Sequence, residues 1–148
     1  MDGPSITLQR AGVEELDHIE TLLEANGLPT RDVRAKPECF FVACDEGTVV
    51  GVGGLEHDGS DGLLRSLVVT ESVRGRGYGT TLCAALESRA RSEGIEALYL
   101  LTTTAASFFR ERGYDEITRE ETPVSIQGTA EFSELCPDSA TCLRKDLG

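Results

Sequence analysis

The 148-residue sequence predicts one α/β domain built on a mixed sheet, antiparallel at first and parallel in its middle. Two observations carry this. Three short apolar stretches, residues 39–44, 48–56 and 63–69, follow one another closely, joined by a turn and a short loop, the pattern of antiparallel hairpins. A helical stretch over residues 77–93 then separates the third of them from another apolar strand at 96–103, and a helix joining two strands of one sheet sets them parallel. A hydrophobic fraction of 39% and a mean hydropathy of −0.18 suit a globular chain long enough for its own core.

Ser5 to Arg10 alternates apolar and polar residues and reads as the first strand. Val13, Leu16, Ile19, Leu22 and Leu23 recur at helical spacing, so residues 13–25 form an amphipathic helix that Asn26-Gly27 stops. Leu28 to Pro37 is a polar connection with a helical turn near Thr30 to Ala35. Cys39 to Cys44 is rich in strand formers, and Glu46-Gly47 marks a hairpin turn into Thr48–Glu56. Gly51, Gly53 and Gly54 within that strand indicate a bulge or a close backbone approach. His57 to Gly62 reads as a loop, and Leu63 to Val69 as the strand that feeds a glycine-rich turn. The helix over 77–93 buries Leu82, Cys83, Leu86 and Ala90 and ends at Gly94. A short helix over 105–112 stops at Gly113, strand 114–118 follows, and a helix over 127–135 and a strand over 140–145 complete the chain.

The net charge is −12, from 26 acidic and 14 basic residues. That balance excludes nucleic acid and anionic membrane surfaces as partners. Only Lys36 and Lys145 are lysines, and an acidic, lysine-poor surface suits a cytoplasm of very high salt, as in a halophile. No apolar run approaches the ~20 residues of a membrane span, and Met1-Asp2-Gly3-Pro4 lacks a signal-peptide pattern, so a cytoplasmic location is expected. Five cysteines (39, 44, 83, 136 and 142), an odd number without a secretion signal, argue against a disulfide framework. No metal-ligand spacing occurs, so no metal is expected.

The chemistry concentrates in Leu67-Val68-Val69-Thr70-Glu71-Ser72-Val73-Arg74-Gly75-Arg76-Gly77-Tyr78-Gly79-Thr80. A strand runs into a glycine-spaced turn and then a helix, whose first N–H groups form an anion site. Arg74 and Arg76 add positive charge there, and Gly77 and Gly79 let a phosphate approach the backbone. A pyrophosphate fits such a site. The order differs from the dinucleotide fingerprint, which opens a doubly wound unit, and from the kinase-type P-loop, which carries Lys and Ser/Thr after its glycines. Arg65, mid-strand among apolar neighbours and expected to share a face with Leu63, Leu67 and Val69, needs a partner. It pairs with Glu56 or Asp45, or it holds a substrate anion.

This segment resembles the central acetyl-CoA motif of the GNAT superfamily of N-acetyltransferases. Ala105-Ala106-Ser107-Phe108-Phe109-Arg110-Glu111-Arg112-Gly113-Tyr114 is similar to the same family's helix-to-strand element. The resemblance implies a single GNAT domain over 1–148 with six or seven strands, about four helices and a V-shaped splay between strands 63–69 and 96–103. It implies acetyl-CoA as co-substrate, bound by Leu67, Val68, Val69, Arg74 to Thr80, Thr102 and Phe109. It also implies direct attack of a small-molecule primary amine on the thioester. Val69 N–H would polarise the acetyl carbonyl, and Glu56, or His57 beside it, would take the ammonium proton. Phe109 stands where the family often has a Tyr general acid; Tyr114 and Tyr78 are the other candidates, with Tyr114 at the family's aromatic core position. A finer resemblance, through Gly54-Leu55-Glu56, Gly62 to Leu67, Leu100 to Ala105 and Thr129 to Pro137, is to arsenic-resistance N-acetyltransferases, implying an amino-bearing arsenical or related toxic compound. Acetylation of a protein or peptide, or acyl-CoA sensing without catalysis, are the alternatives. Many relatives pair as dimers, with the C-terminal strand as the candidate contact.

Overall fold

The computed structural model describes residues 6–26, 30, 33, 37–103, 105–127 and 140–147. In these, seven strands form one mixed sheet: β1 (Thr7–Arg10), β2 (Phe40–Asp45), β3 (Thr48–Asp58), β4 (Asp61–Val69), β5 (Ala97–Thr102), β6 (Asp115–Ile117) and β7 (Thr141–Asp146). Four helices accompany them: α1 (Val13–Ala25), α2 (Tyr78–Ser92), α3 (Ala106–Glu111) and α4 (Val124–Gln127). The strand order is β1-β2-β3-β4-β5-β7-β6, antiparallel throughout except for the parallel pair β4–β5. No described helix is long and apolar enough to cross a membrane.

The expected helix over 13–25 forms with those bounds. Glu15 accepts the Gly12 N–H at 2.8 Å, and Asn26 closes the far end by donating to Leu22 O at 2.8 Å. Glu46-Gly47 turns β2 into β3 with both φ values positive (51° and 82°), the two-residue type I′ geometry. His57 to Gly62 is not a loop. Asp58 pairs with Asp61 across a two-residue turn in which Gly59 has φ +62°, so both strands run to the hairpin tip. Polar composition suggested a loop there, but glycine at the first turn position is what a tight type II′ hairpin requires. The expected helix over 127–135 lies largely outside the described residues, as do Thr104, Cys136, the Thr129–Pro137 motif and most of the 28–37 connection. The final strand occupies Thr141–Asp146, between β5 and β6, so both its edges are paired. It is therefore not an open edge for a second copy; the sheet's edges are β1 and β6.

Each face of the sheet carries its own core. On one, Leu82, Cys83 and Leu86 of α2 pack with Phe41, Val50, Leu55, Leu64, Leu98 and Leu100. On the other, Leu16, Ile19 and Leu23 of α1 pack with Phe40, Val42, Val52 and Val68, and Ile126 of α4 packs with Leu63 and Tyr99. The glycines of β3 admit α2: a Cβ at Gly53 would lie 2.6 Å from Leu86 Cδ1, and one at Gly51 would lie 2.7 Å from Val68 O and 3.0 Å from Leu82 Cδ2.

Candidate active site

The parallel strands pair only at Asp61–Ala97, Gly62–Leu98 and Leu63–Tyr99. Beyond these, β4 continues to Val69 and β5 to Thr102 without pairing to each other, which opens a wedge. The Thr70 amide donates to Val50 O at 2.9 Å and so faces β3. Main-chain groups alternate along a strand, so those of Val69 face the wedge. The Val69 carbonyl accepts a hydrogen bond from Arg74 Nε at 3.1 Å.

A bulge shapes this part of β4. Val52 pairs with Val68 but Gly54 pairs with Arg65, so β4 carries one extra residue opposite Gly53. Ser66 absorbs it with φ +59°. The bulge expected in β3 is present against β2, where Val50 is extra between the Ala43–Gly51 and Cys44–Val49 pairs, and a second one here has its extra residue on β4. The extra residue also shifts the alternation of side chains. Leu63 and Arg65 share the α1–α4 face with Val68, whereas Leu67 borders the α2 core. The expectation that Arg65 shares a face with Leu67 and Val69 fails for this reason.

Arg65 is buried and donates from Nη1 to Glu56 Oε2 at 2.9 Å and from Nε to Ser66 Oγ at 3.2 Å. Its guanidinium lies 5.3 Å from the centre of the Phe40 ring. Of the partners open to it in the sequence, the structure takes Glu56; Asp45 instead accepts a 2.5 Å hydrogen bond from the Tyr78 hydroxyl. That bond raises the pKa of Tyr78. His57 pairs with Glu93 at 3.2 Å.

The glycine turn delivers the start of α2. Gly75 and Gly77 have φ of +82° and +87°, so backbone conformation is what demands glycine there. Gly77 is the N-cap and no side chain caps this end, which leaves the first-turn N–H groups of Tyr78, Gly79 and Thr80 without an intrahelical acceptor. Gly79 differs: the nearest atoms a Cβ there would meet are Phe108 at 3.5 Å and Val69 at 3.8 Å, ordinary contacts, so the protein itself leaves clearance at this spot. Arg76 is exposed, while Arg74 is turned toward α1, donating from Nη2 to Asn26 Oδ1 at 2.7 Å.

Two neighbours escaped the sequence reading. Phe109 is buried, edge-on to Phe108 and Tyr114 at centroid distances of 5.1 and 5.5 Å; the half-buried Phe108 is the ring beside Gly79. Arg112 lies 4.5 Å from the Phe108 ring centre and donates to Thr80 Oγ1 from Nη2 at 2.8 Å and from Nε at 3.2 Å. The sequence shows Arg112 only as one more cation; its place depends on how α3 docks on α2. Thr102 Oγ1 accepts the Ala105 amide at 3.0 Å and so helps start α3.

Beneath this corner lies a polar cluster. Lys145 Nζ donates to Glu87 Oε1 at 3.0 Å and to Arg112 O at 2.8 Å, and the Tyr114 hydroxyl donates to Glu87 Oε2 at 2.9 Å. Burial pushes the neighbouring Cys83 thiol up to about 12 and also raises Tyr114, with the Glu87 charge acting in the same direction on both. Among the described residues, no group of three His, Cys, Asp or Glu is placed to hold a metal.

The sequence that builds this site matches a known family. The acetyltransferase (GNAT) family model matches residues 8–114. The chain belongs to the GNAT family. It is 32% identical over 128 residues to the amino-acid acetyltransferase of Ectopseudomonas mendocina (strain ymp), covering 80% of this chain and 30% of that protein. The same name and identity recur for Pseudomonas fluorescens (strain Pf0-1), with 80% and 29% covered. The chain thus spans about a third of the length of these curated relatives. Among solved structures, N-acetylglutamate synthase from Neisseria gonorrhoeae, complexed with coenzyme A and N-acetyl-glutamate, superposes with a TM-score of 0.83 at 23% identity, covering 97% of this chain and 35% of that one. A Mycobacterium tuberculosis protein solved in complex with CoA gives 0.77 at 21% identity, with 95% and 98% covered. These likenesses establish the GNAT fold.

Proposed function

We propose that this GNAT protein transfers the acetyl group of acetyl-CoA to the amine of a small molecule, with amino acids the first class of acceptor. The observation that carries this is the wedge: β4 and β5 stop pairing after three residue pairs, directly beside the free amides at the start of α2. In this reading the amides of residues 78–80, with Arg76, receive the diphosphate of coenzyme A. The amide-rich arm of the substrate pairs with main-chain groups of Leu67 and Val69 in the wedge, and Val69 N–H polarises the acetyl carbonyl. Glu56 and Arg65 lie on the opposite face of the sheet from α2, where an acceptor meets the thioester emerging through the wedge. Glu56 is the candidate to take the ammonium proton, directly or through a water. With Phe109 unable to donate a proton, the leaving thiolate departs without a side-chain acid. Arg65, buried against Glu56, fixes that carboxylate on this face. The names of the relatives agree with an amino-acid acceptor, whereas an arsenical amine rests on the motif resemblance alone.

The test is a panel of amino acids, polyamines, arsenical amines and peptides incubated with acetyl-CoA, read as free thiol released. Turnover of one or more amino acids is the expected result, with Glu56→Gln lowering kcat by at least tenfold. Tight CoA binding with no turnover across the panel would replace the enzyme by a sensor, and turnover of peptides alone would replace the small-molecule acceptor.

A further inference from the structure

We infer that Arg112 is a phosphate-binding residue of this site, a second cation beside Arg76 that engages coenzyme A from the α3 side. The inference rests on the reading of the 74–80 turn as the diphosphate site. In this acid-rich chain, several arginines are held by close carboxylates, Arg65 by Glu56 at 2.9 Å, Arg89 by Glu93 at 2.6 Å and Arg144 by Asp146 at 2.7 Å, whereas Arg74 and Arg91 donate to neutral oxygens elsewhere in the chain. Arg112 is of the second kind. Its nearest ion pair is with the exposed Glu111, at 3.6 Å from Nη1. Its remaining bonds go to neutral oxygens: Nε and Nη2 both converge on the Thr80 hydroxyl at 3.2 and 2.8 Å, and Nη1 reaches Phe108 O at 3.4 Å. A guanidinium presents two parallel donors that match two oxygens of a phosphate or carboxylate, so one hydroxyl leaves that fork poorly matched.

The fork is also fixed in place. The Phe108 ring lies 4.5 Å beneath it, and Lys145, anchored by Glu87, holds the Arg112 carbonyl at 2.8 Å. Its target, Thr80, is the third residue of α2, within the turn whose amides are free, and the Arg112 side chain keeps a quarter of its surface exposed. A phosphate arriving at this turn meets two aligned donors already oriented and loses little entropy in engaging them. The other cations divide the labour: Arg76 is exposed on the turn, and Arg74 faces α1 and the Val69 carbonyl.

The test is titration calorimetry of CoA and 3′-dephospho-CoA on the wild-type protein, Arg112→Gln and Arg112→Lys, with KM for acetyl-pantetheine, which lacks the diphosphate, measured in parallel. Arg112→Gln is expected to weaken CoA at least tenfold and Arg112→Lys to restore part of the loss, with the acetyl-pantetheine KM unchanged. A loss confined to CoA assigns the fork to the 3′-phosphate; an equal loss for both nucleotides assigns it to the diphosphate. Wild-type affinity in Arg112→Gln, or an equal loss for acetyl-pantetheine, overturns the inference and leaves Arg112 as a tether between α2 and α3. A wild-type protein that binds neither nucleotide would instead overturn the parent reading of the turn.

Discussion

Ser66 offers a test in which the sign of the effect is the result. It holds φ at +59° in the bulge that aims β4 into the wedge. A residue with a Cβ in this left-handed conformation loses about 1–2 kcal/mol, a cost glycine escapes. At an ordinary strand position, glycine is less stable than alanine by ~0.5–1 kcal/mol, because its unfolded chain is freer. Ser66→Ala and Ser66→Gly both delete the hydroxyl that accepts Arg65 Nε at 3.2 Å, so that loss cancels between them. What remains is relief of the backbone against chain entropy, which leaves the glycine variant more stable than the alanine variant by about 0.5–1 kcal/mol. Urea unfolding of the two variants, at matched m-values, measures the difference. An alanine variant equal to or above the glycine variant would refute the argument that this position is conformationally strained.

Two further outcomes follow from the cluster under α3. Lys145→Met strands the Glu87 carboxylate with Tyr114 and Cys83; removing one partner of a fully buried pair costs ~3–5 kcal/mol, and partial exposure of Lys145 brings this to about 2 kcal/mol in thermal or urea unfolding. A variant as stable as wild type would show the pair to be idle. The Cys83 thiol, raised by burial from 9.0 to about 12, keeps its proton in the folded state after the unfolded state has released it. Its stabilisation is therefore complete below about pH 9 and declines as pH climbs toward about 12, by ~1.4 kcal/mol per unit, with Tyr114 acting in the same direction. Cys83→Ala should flatten that alkaline decline in stability measured against pH; slopes parallel to wild type would contradict it.

Much of the architecture was legible because single residues settle it. The 3.6-residue recurrence from Val13 to Leu23 gave α1 with its bounds, and Glu46-Gly47 gave the first hairpin, since few pairs tolerate two positive φ values. The glycine-spaced turn and the helix after it were equally plain. What stayed hidden depends on neighbours distant in sequence. Ser66 looks like one more polar residue in an alternating strand, and only the pairs on either side of Gly53 expose the extra residue that moves Leu67 off the Arg65 face and puts Val68 on it. The placement of β7 inside the sheet leaves no mark in its composition. Arg112 and Phe108 acquire meaning only when α3 docks against Gly79 and Thr80.

The insertion of β7 between β5 and β6 has a consequence for biosynthesis. The ribosome releases β5 and β6 before the strand that joins them, so the nascent chain carries two unsatisfied borders until residues 141–146 emerge. A premature stop or a proteolytic cut ahead of Thr141 would therefore yield an adhesive, chaperone-dependent fragment rather than a slightly shorter folded domain.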